Sequence, residues 1–329
     1  MRPDKDIIEN LNSSGWITLE VPLTCGEWVQ GRIGGKDFLV SCPVGVYTTI
    51  SLTYYRINAD DLKIDGKRID HDGVASYPEK AVRAVENVCN LLAIKGFGFK
   101  IEINCPKPVG KGFATSSADV LGSIMAVLKL FKVDLPPEKF FRLGIEIEPS
   151  DSLGYLGLWK INHRMKYKAE RGAVEPCYLG REVPGKVMVL DLGGEVETLR
   201  FNENQHLGDL YRRNETPSKR AYDYVKRGIR TKNLALMAKG STLSSISHQR
   251  ILPKKELDCI VDSFESLGAL GIVIAHSGTL VGFIYPSEKK DFDSFYSWHR
   301  KYGPGKIVGV FELKGGEVKM TGGGIYETL

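Results

Sequence analysis

The sequence predicts an α+β protein of two domains, and three observations carry that expectation. A chain of 329 residues has room for two domains at roughly 100 to 200 residues each. Its first half alternates strand-like segments with crossover helices, and its second half sets a run of helices before a strand pair. That order suits α+β rather than a regular βαβα series. Glycine is abundant, with 36 residues, which points to tight turns and close backbone approaches.

Taken in order, residues 16–22 (WITLEVP) read as a strand. Residues 37–56 alternate and are rich in β-branched and aromatic side chains, which predicts one or two strands. A turn-rich polar segment follows, with Asp-Gly at 65–66 and 72–73. From Glu79 to Ile94, the apolar residues Ala81, Val82, Val85, Val88, Leu91 and Leu92 recur at helical spacing. Gly96 to Asn104 alternates as a strand. Residues 106–131 read as a glycine-containing loop entering an apolar helix, and Pro136 and Pro137 open another helix through about Ile147. Lys186 to Leu192 is a strand, with the domain boundary near 165–185. Residues 208–267 are charged and helix-like, and strands return at 271–284 and 306–319. The stretch from Leu267 to Tyr285 has nearly the length of a membrane span. It is broken by His276, Ser277 and Gly278, so two buried strands joined by a turn are expected instead.

Composition narrows the function. Hydrophobic residues are 42% and charged residues 26%, the balance of a folded globular chain. Lys and Arg number 45 against 40 Asp and Glu, a formal charge of +5. That is too mild, and too free of basic stripes with interleaved aromatics, for a nucleic-acid partner, but it suits a small anionic ligand. No membrane partner is expected. The cysteines at 25, 42, 89, 105, 177 and 259 form no Cys-x-x-Cys, and the polar opening MRPDKDIIENLNSSGW has no apolar signal core. Reduced thiols and a cytoplasmic location are the expectation.

The strongest local signal is Pro106 to Asp119, PKPVGKGFATSSAD. A strand ends, Gly110 and Gly112 permit a tight loop, and Thr115, Ser116 and Ser117 start a helix. The first amides of a helix have no intrahelical acceptor and its dipole favours negative charge there, so the arrangement suits phosphate. Lys111 adds a cation, and a serine hydroxyl can ligate Mg²⁺. The Walker A spacing is absent. The plain alternative is a Ser/Thr-capped helix after an ordinary loop.

Pro108-x-x-x-Gly112-Phe113-Ala114-Thr115-Ser116 resembles the Pro-x-x-x-Gly-Leu-Gly-Ser-Ser motif of the GHMP kinases. Thr24-Cys25-Gly26-Glu27, with Gly31 after it, is similar to that superfamily's N-terminal Gly-Glu segment. Ala275-His276-Ser277-Gly278-Thr279 stands where its C-terminal glycine-rich segment lies. Within the superfamily the likeness is to the L-threonine kinase branch of cobalamin biosynthesis, through Cys25-Gly26-Glu27-Trp28-Val29-Gln30-Gly31 and Glu148 to Ser152. Leu23 and Thr24 stand where many members carry a lysine, the third motif keeps a single glycine, and residues 153–173 do not follow the threonine branch.

The resemblance implies a two-domain α+β GHMP kinase fold. Residues 1–175 would form a ribosomal-protein-S5-like ATP-binding domain, and residues 176–329 a ferredoxin-like domain. It implies ATP and Mg²⁺ as cofactors and a small alcohol as acceptor. L-threonine comes first; homoserine, a sugar or a mevalonate-like acid is the alternative, and a catalytically silent binding protein on the same scaffold is another. The loop Pro108, Val109, Gly110, Lys111, Gly112, Phe113, Ala114, Thr115, Ser116 and Ser117 would hold the phosphates. Asp151 would be the base, assisted by Lys111, and Ser116 with Glu148 would ligate Mg²⁺, with Glu146 the second choice. Glu27 and Ser150 would meet the acceptor. Glu27 read alone is equally a surface carboxylate, Lys111 equally a solvated cation, and Asp151 equally the cap of a turn. His276 reads as a hydrogen-bonded structural histidine before a base. The Lys/Arg cluster at 212–230 reads as a wet helix face.

Overall fold

The computed structural model describes residues 14–58, 62–163, 175–194 and 207–326. The polar N-terminal opening before Ser14, and residues 165–174 of the 165–185 boundary region, lie outside the described residues. So does the later part of the 153–173 segment.

Two long strands organise the molecule. β1 (Ser14–Ile33) turns at Gly34-Gly35 into β2 (Lys36–Arg56), and the pair is antiparallel with Ile33 opposite Lys36. The 37–56 segment is thus one strand. β3 (Lys63–Ile69), the short β4 (Ala75–Ser76), helix α1 (Glu79–Leu92) and β5 (Phe97–Asn104) follow. β3 runs parallel to β5, so α1 is the crossover of a βαβ unit. Asp65-Gly66 is therefore not a turn: Gly66 lies within β3, opposite Ile101. Asp72-Gly73 does turn, with Gly73 at φ 82°. On α1, Leu91 is 48% exposed, and Ala84 and Cys89 are buried in its place.

Helix α2 (Thr115–Leu130) is buried almost all round, which is why its sequence lacks a polar face. It packs on β1, β2 and α1. α3 (Pro137–Ile145) starts at Pro137, as expected of a first-turn proline. Then come β6 (Leu158–Lys160), β7 (Cys177–Gly180), β8 (Lys186–Asp191) and the helices α4 (Leu207–Arg213), α5 (Glu215–Arg230), α6 (Leu234–His248) and α7 (Leu257–Ser263). α5 and α6 pack on each other and against β1. β9 (Gly271–Ile274) and β10 (Leu280–Tyr285) are the expected buried hairpin. α8 (Asp293–Tyr302), β11 (Lys306–Glu312) and β12 (Lys319–Tyr326) complete the order.

The described strands form one ten-stranded sheet in the order β11-β8-β10-β9-β1-β2-β5-β3-β4, with β12 also paired to β1; β6 and β7 form a separate pair. The sequence does not predict α8, and the strand stretch expected at 306–319 stops where β12 begins. β12 carries three consecutive glycines, a weak strand signal. Their missing side chains admit Trp16: a Cβ on Gly322 would lie 2.8 Å from its ring. A second cluster of buried apolar side chains, including Phe283, Phe295 and Trp298, packs under α8, with Phe283 and Phe295 edge to face at 5.0 Å. Among the described residues no helix is long and apolar enough to cross a membrane.

Candidate active site

The three motifs meet. β1 has register shifts around Leu23, Thr24 and Glu27, so the chain there stops pairing regularly with β2. A bulge re-aims backbone donors. Here the Thr24 and Gly26 amides donate to the carbonyls of Phe113 and Gly112 at 2.9 and 3.1 Å. From the other side, the Thr279 and Leu280 amides donate to the Lys111 carbonyl at 2.8 and 3.1 Å. The loop from Pro108 to Ala114 is thus clamped between the Gly-Glu strand and the β9–β10 turn. Gly112 (φ 105°) has no room for a side chain, since a Cβ would lie 2.2 Å from that of Ala275. A Cβ on Gly278 would lie 2.3 Å from the Lys111 carbonyl oxygen. The single glycine of the third motif therefore braces the back of the loop.

Ala114, at φ 58°, turns the chain into α2, and no side chain caps the helix. Its N-terminal amides are left to an outside acceptor. Val109 is 52% exposed at the rim, whereas Phe113 is buried beneath the loop, with the Lys107 ammonium 5.6 Å from its ring centre. Lys111 points away from the helix end: its ammonium bonds the Gly194 carbonyl at 2.5 Å and lies 3.4 Å from Asp191 Oδ2. Burial pushes Asp191 upward. Hydrogen bonds from Thr279 and the Gly193 amide, with the Lys111 charge, outweigh that and hold it below the ordinary carboxylate range.

Asp151 lies beside the first turn of α2. The Ser41 hydroxyl donates to its Oδ1 at 2.8 Å and the Ser117 hydroxyl to its Oδ2 at 3.1 Å. The Asp151 amide returns a bond to Ser117 Oγ at 3.2 Å. Ser117 thus orients the carboxylate. Asp151 keeps a partly exposed edge but is otherwise enclosed. That burial, then the negative charge of Glu27, raises its pKa to about 7, against the pull of the two hydroxyls. Ser150 is not brought to this place: it is 1% exposed, with a buried, unpartnered hydroxyl under α3 near Gly144. Ser41, on β2 opposite Glu27, takes the position expected of it.

Glu148 is 6% exposed. Its Oε2 receives the Lys80 ammonium at 2.5 Å, and the same ammonium lies 3.3 Å from Ser116 Oγ. The two expected metal ligands therefore face one cation position. Glu148 Oε1 is buried with no partner, so this donor set has unused capacity for a divalent ion with waters and phosphate oxygens completing its shell. Glu146 faces solvent, because it caps the end of α3, and does not join the group.

Glu27 is buried and accepts from both the amide and Nδ1 of His276, at 2.9 and 2.8 Å. His276 is fully buried. Its Nε2 meets the Ser244 hydroxyl at 3.2 Å, and the His248 ring stands 4.2 Å away. Both ring nitrogens thus have partners, the hydrogen bonding expected of it. Lys254, buried near Glu27, has its pKa lowered to about 8 by burial, which Glu27 only partly offsets. Further along β1, the Gln30 amide nitrogen lies 3.0 Å from the Tyr211 hydroxyl and 3.3 Å from His163 Nε2. Sequence reasoning missed Ser41, Lys80, Lys254, Ser244 and this buried trio. Ser41 had no signal either: the Gly34-Gly35 hairpin register alone would set Cys42 across from Glu27, and the bulge between Glu27 and Val29 brings Ser41 there instead.

An anion-accepting helix end, a cation position and a carboxylate with raised pKa, gathered around the first turn of α2, can serve phosphoryl transfer to a hydroxyl. The sequence model described as GHMP kinases N terminal domain matches residues 76–155, the segment holding the loop, Glu148 and Asp151. The match covers that segment alone, and the α+β fold of the chain is the fold of solved GHMP kinases. It is 25% identical over 283 residues to an L-threonine kinase of Citrobacter freundii, covering 85% of this chain and 89% of that protein. An L-threonine kinase of Salmonella typhimurium is 25% identical over 272 residues, with 83% and 84% covered. The solved homoserine kinase from Cytophaga hutchinsonii superposes with a TM-score of 0.65 over 94% of this chain and 98% of its own, at 15% identity.

Proposed function

We propose that this protein is an ATP-dependent kinase that phosphorylates the hydroxyl of a small alcohol, with L-threonine as acceptor and O-phospho-L-threonine as product. The observation that carries the reading is the pairing of Ser117, in the first turn of α2, with Asp151 at 3.1 Å. It ties the anion-accepting helix end to a carboxylate whose pKa of about 7 suits a general base. The loop from Pro108 to Ser117 cradles the triphosphate, with the backbone amides that follow Pro108 as its donors. Ser116 and Glu148 hold Mg²⁺, which when bound supplies positive charge against the phosphate oxygens. Asp151 takes the acceptor proton, and Ser41 orients it. Lys111 acts on the far side of the loop, with Asp191. Glu27 shapes the acceptor side through its charge and its grip on the β9–β10 turn.

In this reading residues 1–175 carry nucleotide binding and residues 176–329 buttress it. Threonine is favoured over other alcohols by the two threonine kinase relatives, which align over most of the chain. A threonine kinase of this branch would serve cobalamin biosynthesis in the cytoplasm, and six unpaired cysteines accord with that compartment. The test is ADP release across threonine, serine, homoserine, mevalonate and several sugars. Threonine should lead the panel. A sugar or homoserine turned over at least tenfold faster would leave the kinase and defeat the acceptor. No ADP release with any of them would favour a silent binding protein.

A further inference from the structure

We propose that Lys80 is a displaceable internal counter-ion of the Ser116–Glu148 pair: it occupies the cation position in the metal-free protein and must leave when a divalent ion binds. The inference rests on the reading of Ser116 and Glu148 as metal ligands. The geometry is a single ammonium 2.5 Å from Glu148 Oε2 and 3.3 Å from Ser116 Oγ.

Lys80 is the second residue of α1, where the helix dipole disfavours a positive charge. Local helix chemistry gives no reason for a lysine there; the partner across the site does. The two members of the ion pair are unlike. The Glu148 side chain is 7% exposed and cannot reach water, whereas the Lys80 side chain is 40% exposed. A lysine can lay its stem along the surface and return its head to solvent. Glu148 therefore stays, and Lys80 can go. The unpartnered Glu148 Oε1 is the second sign. One ammonium leaves half of this buried carboxylate unsatisfied, and buried carboxylate oxygens need partners. The site is thus held, but incompletely, until a better cation comes.

The consequence is that metal binding competes with an internal charge, and removing that charge should tighten binding. Mn²⁺, which shares the all-oxygen preference of Mg²⁺, is the probe. Its binding to the nucleotide-free protein is followed by electron paramagnetic resonance of the free ion, so no turnover is needed. Lys80→Met should bind Mn²⁺ about tenfold more tightly than wild type, the scale of one charge-assisted hydrogen bond. Lys80→Arg, which keeps the charge and can grip a carboxylate with two donors, should bind it no better than wild type. That variant preserves the ion pair, so it keeps the comparison decisive should Lys80→Met fold poorly. Tighter Mn²⁺ binding by Lys80→Arg, or unchanged or weaker binding by Lys80→Met while Glu148→Gln abolishes it, overturns the proposal and leaves the metal pair standing. Glu148→Gln binding Mn²⁺ as well as wild type brings down the metal pair, and this inference with it.

Discussion

Asp151→Asn should move activity and stability in opposite directions. The folded protein binds the Asp151 proton more tightly than the unfolded chain, because burial and Glu27 raise its pKa from 3.8 to about 7. Folding stability from this group is therefore full at low pH. It is lost as pH climbs from about 4 to about 7, and stays lost above. At ~1.4 kcal/mol per pH unit the cost above pH 7 has a ceiling of about 4 kcal/mol, part of it shared with Glu27. The bonds from Ser41 and Ser117 are already counted in that net pKa, and asparagine removes the charge. The variant should thus be more stable than wild type by up to about 4 kcal/mol at pH 8.5 and by less than about 2 kcal/mol at pH 5. Thermal melts of metal-free, nucleotide-free protein at the two pH values measure this. With threonine and saturating ATP, the same variant should lose at least ~10²-fold in kcat, since an amide cannot take the proton, while ATP affinity changes less than about threefold. A wild-type rate that falls below pH 7 completes the pattern. More than about a tenth of wild-type kcat in the variant would refute Asp151 as base, and melts that never diverge with pH would refute its raised pKa.

Gly112→Val should weaken ATP binding by at least ~10-fold, because the new side chain collides with Ala275 and levers the loop off the β9–β10 turn; calorimetry showing wild-type affinity in a folded variant removes the loop from the site. Glu148→Gln should raise the Mg²⁺ concentration for half-maximal rate several-fold, about the effect of one lost oxygen ligand, whereas solvent-facing Glu146→Gln should leave it unchanged; the reverse result moves the metal to Glu146. Ser41→Ala removes a hydrogen bond that lowers the Asp151 pKa, so the acid limb of the pH–rate profile should shift upward; a limb that moves down or stays put contradicts the role given to Ser41.

The elements with strong local patterns were legible: α1 from its apolar spacing, α2 from its apolar-rich stretch after Ser117, and the β9–β10 hairpin from its interrupted Val/Ile stretch. The failures lay where local chemistry was weak or overridden. Asp65-Gly66 has turn composition, yet pairing with β5 pulls it into a strand. β12 has three glycines, yet Trp16 fills the space they leave. α8 is short, and its buried face is only Phe295 and Trp298, which pack against Phe283.

The site divides in the same way. Gly112, Ser116, Ser117, Glu148 and Asp151 stand in motifs whose meaning survives in one dimension, because a glycine loop entering a serine-rich helix start makes an anion site wherever it folds. The sequence alone could name them as candidates and the reaction class they suit. It could not tell that Ser117 would serve Asp151, that Lys111 would turn to Asp191, or that Ser150 would be sealed under α3. Ser41 lies 110 residues from Asp151, and Lys80 lies 68 from Glu148. Nothing local marks a serine in mid-strand, or a lysine in a first helical turn, as a partner. Their roles come from the β1–β2 register and the seating of α1 against α2, and both are consequences of burying the core.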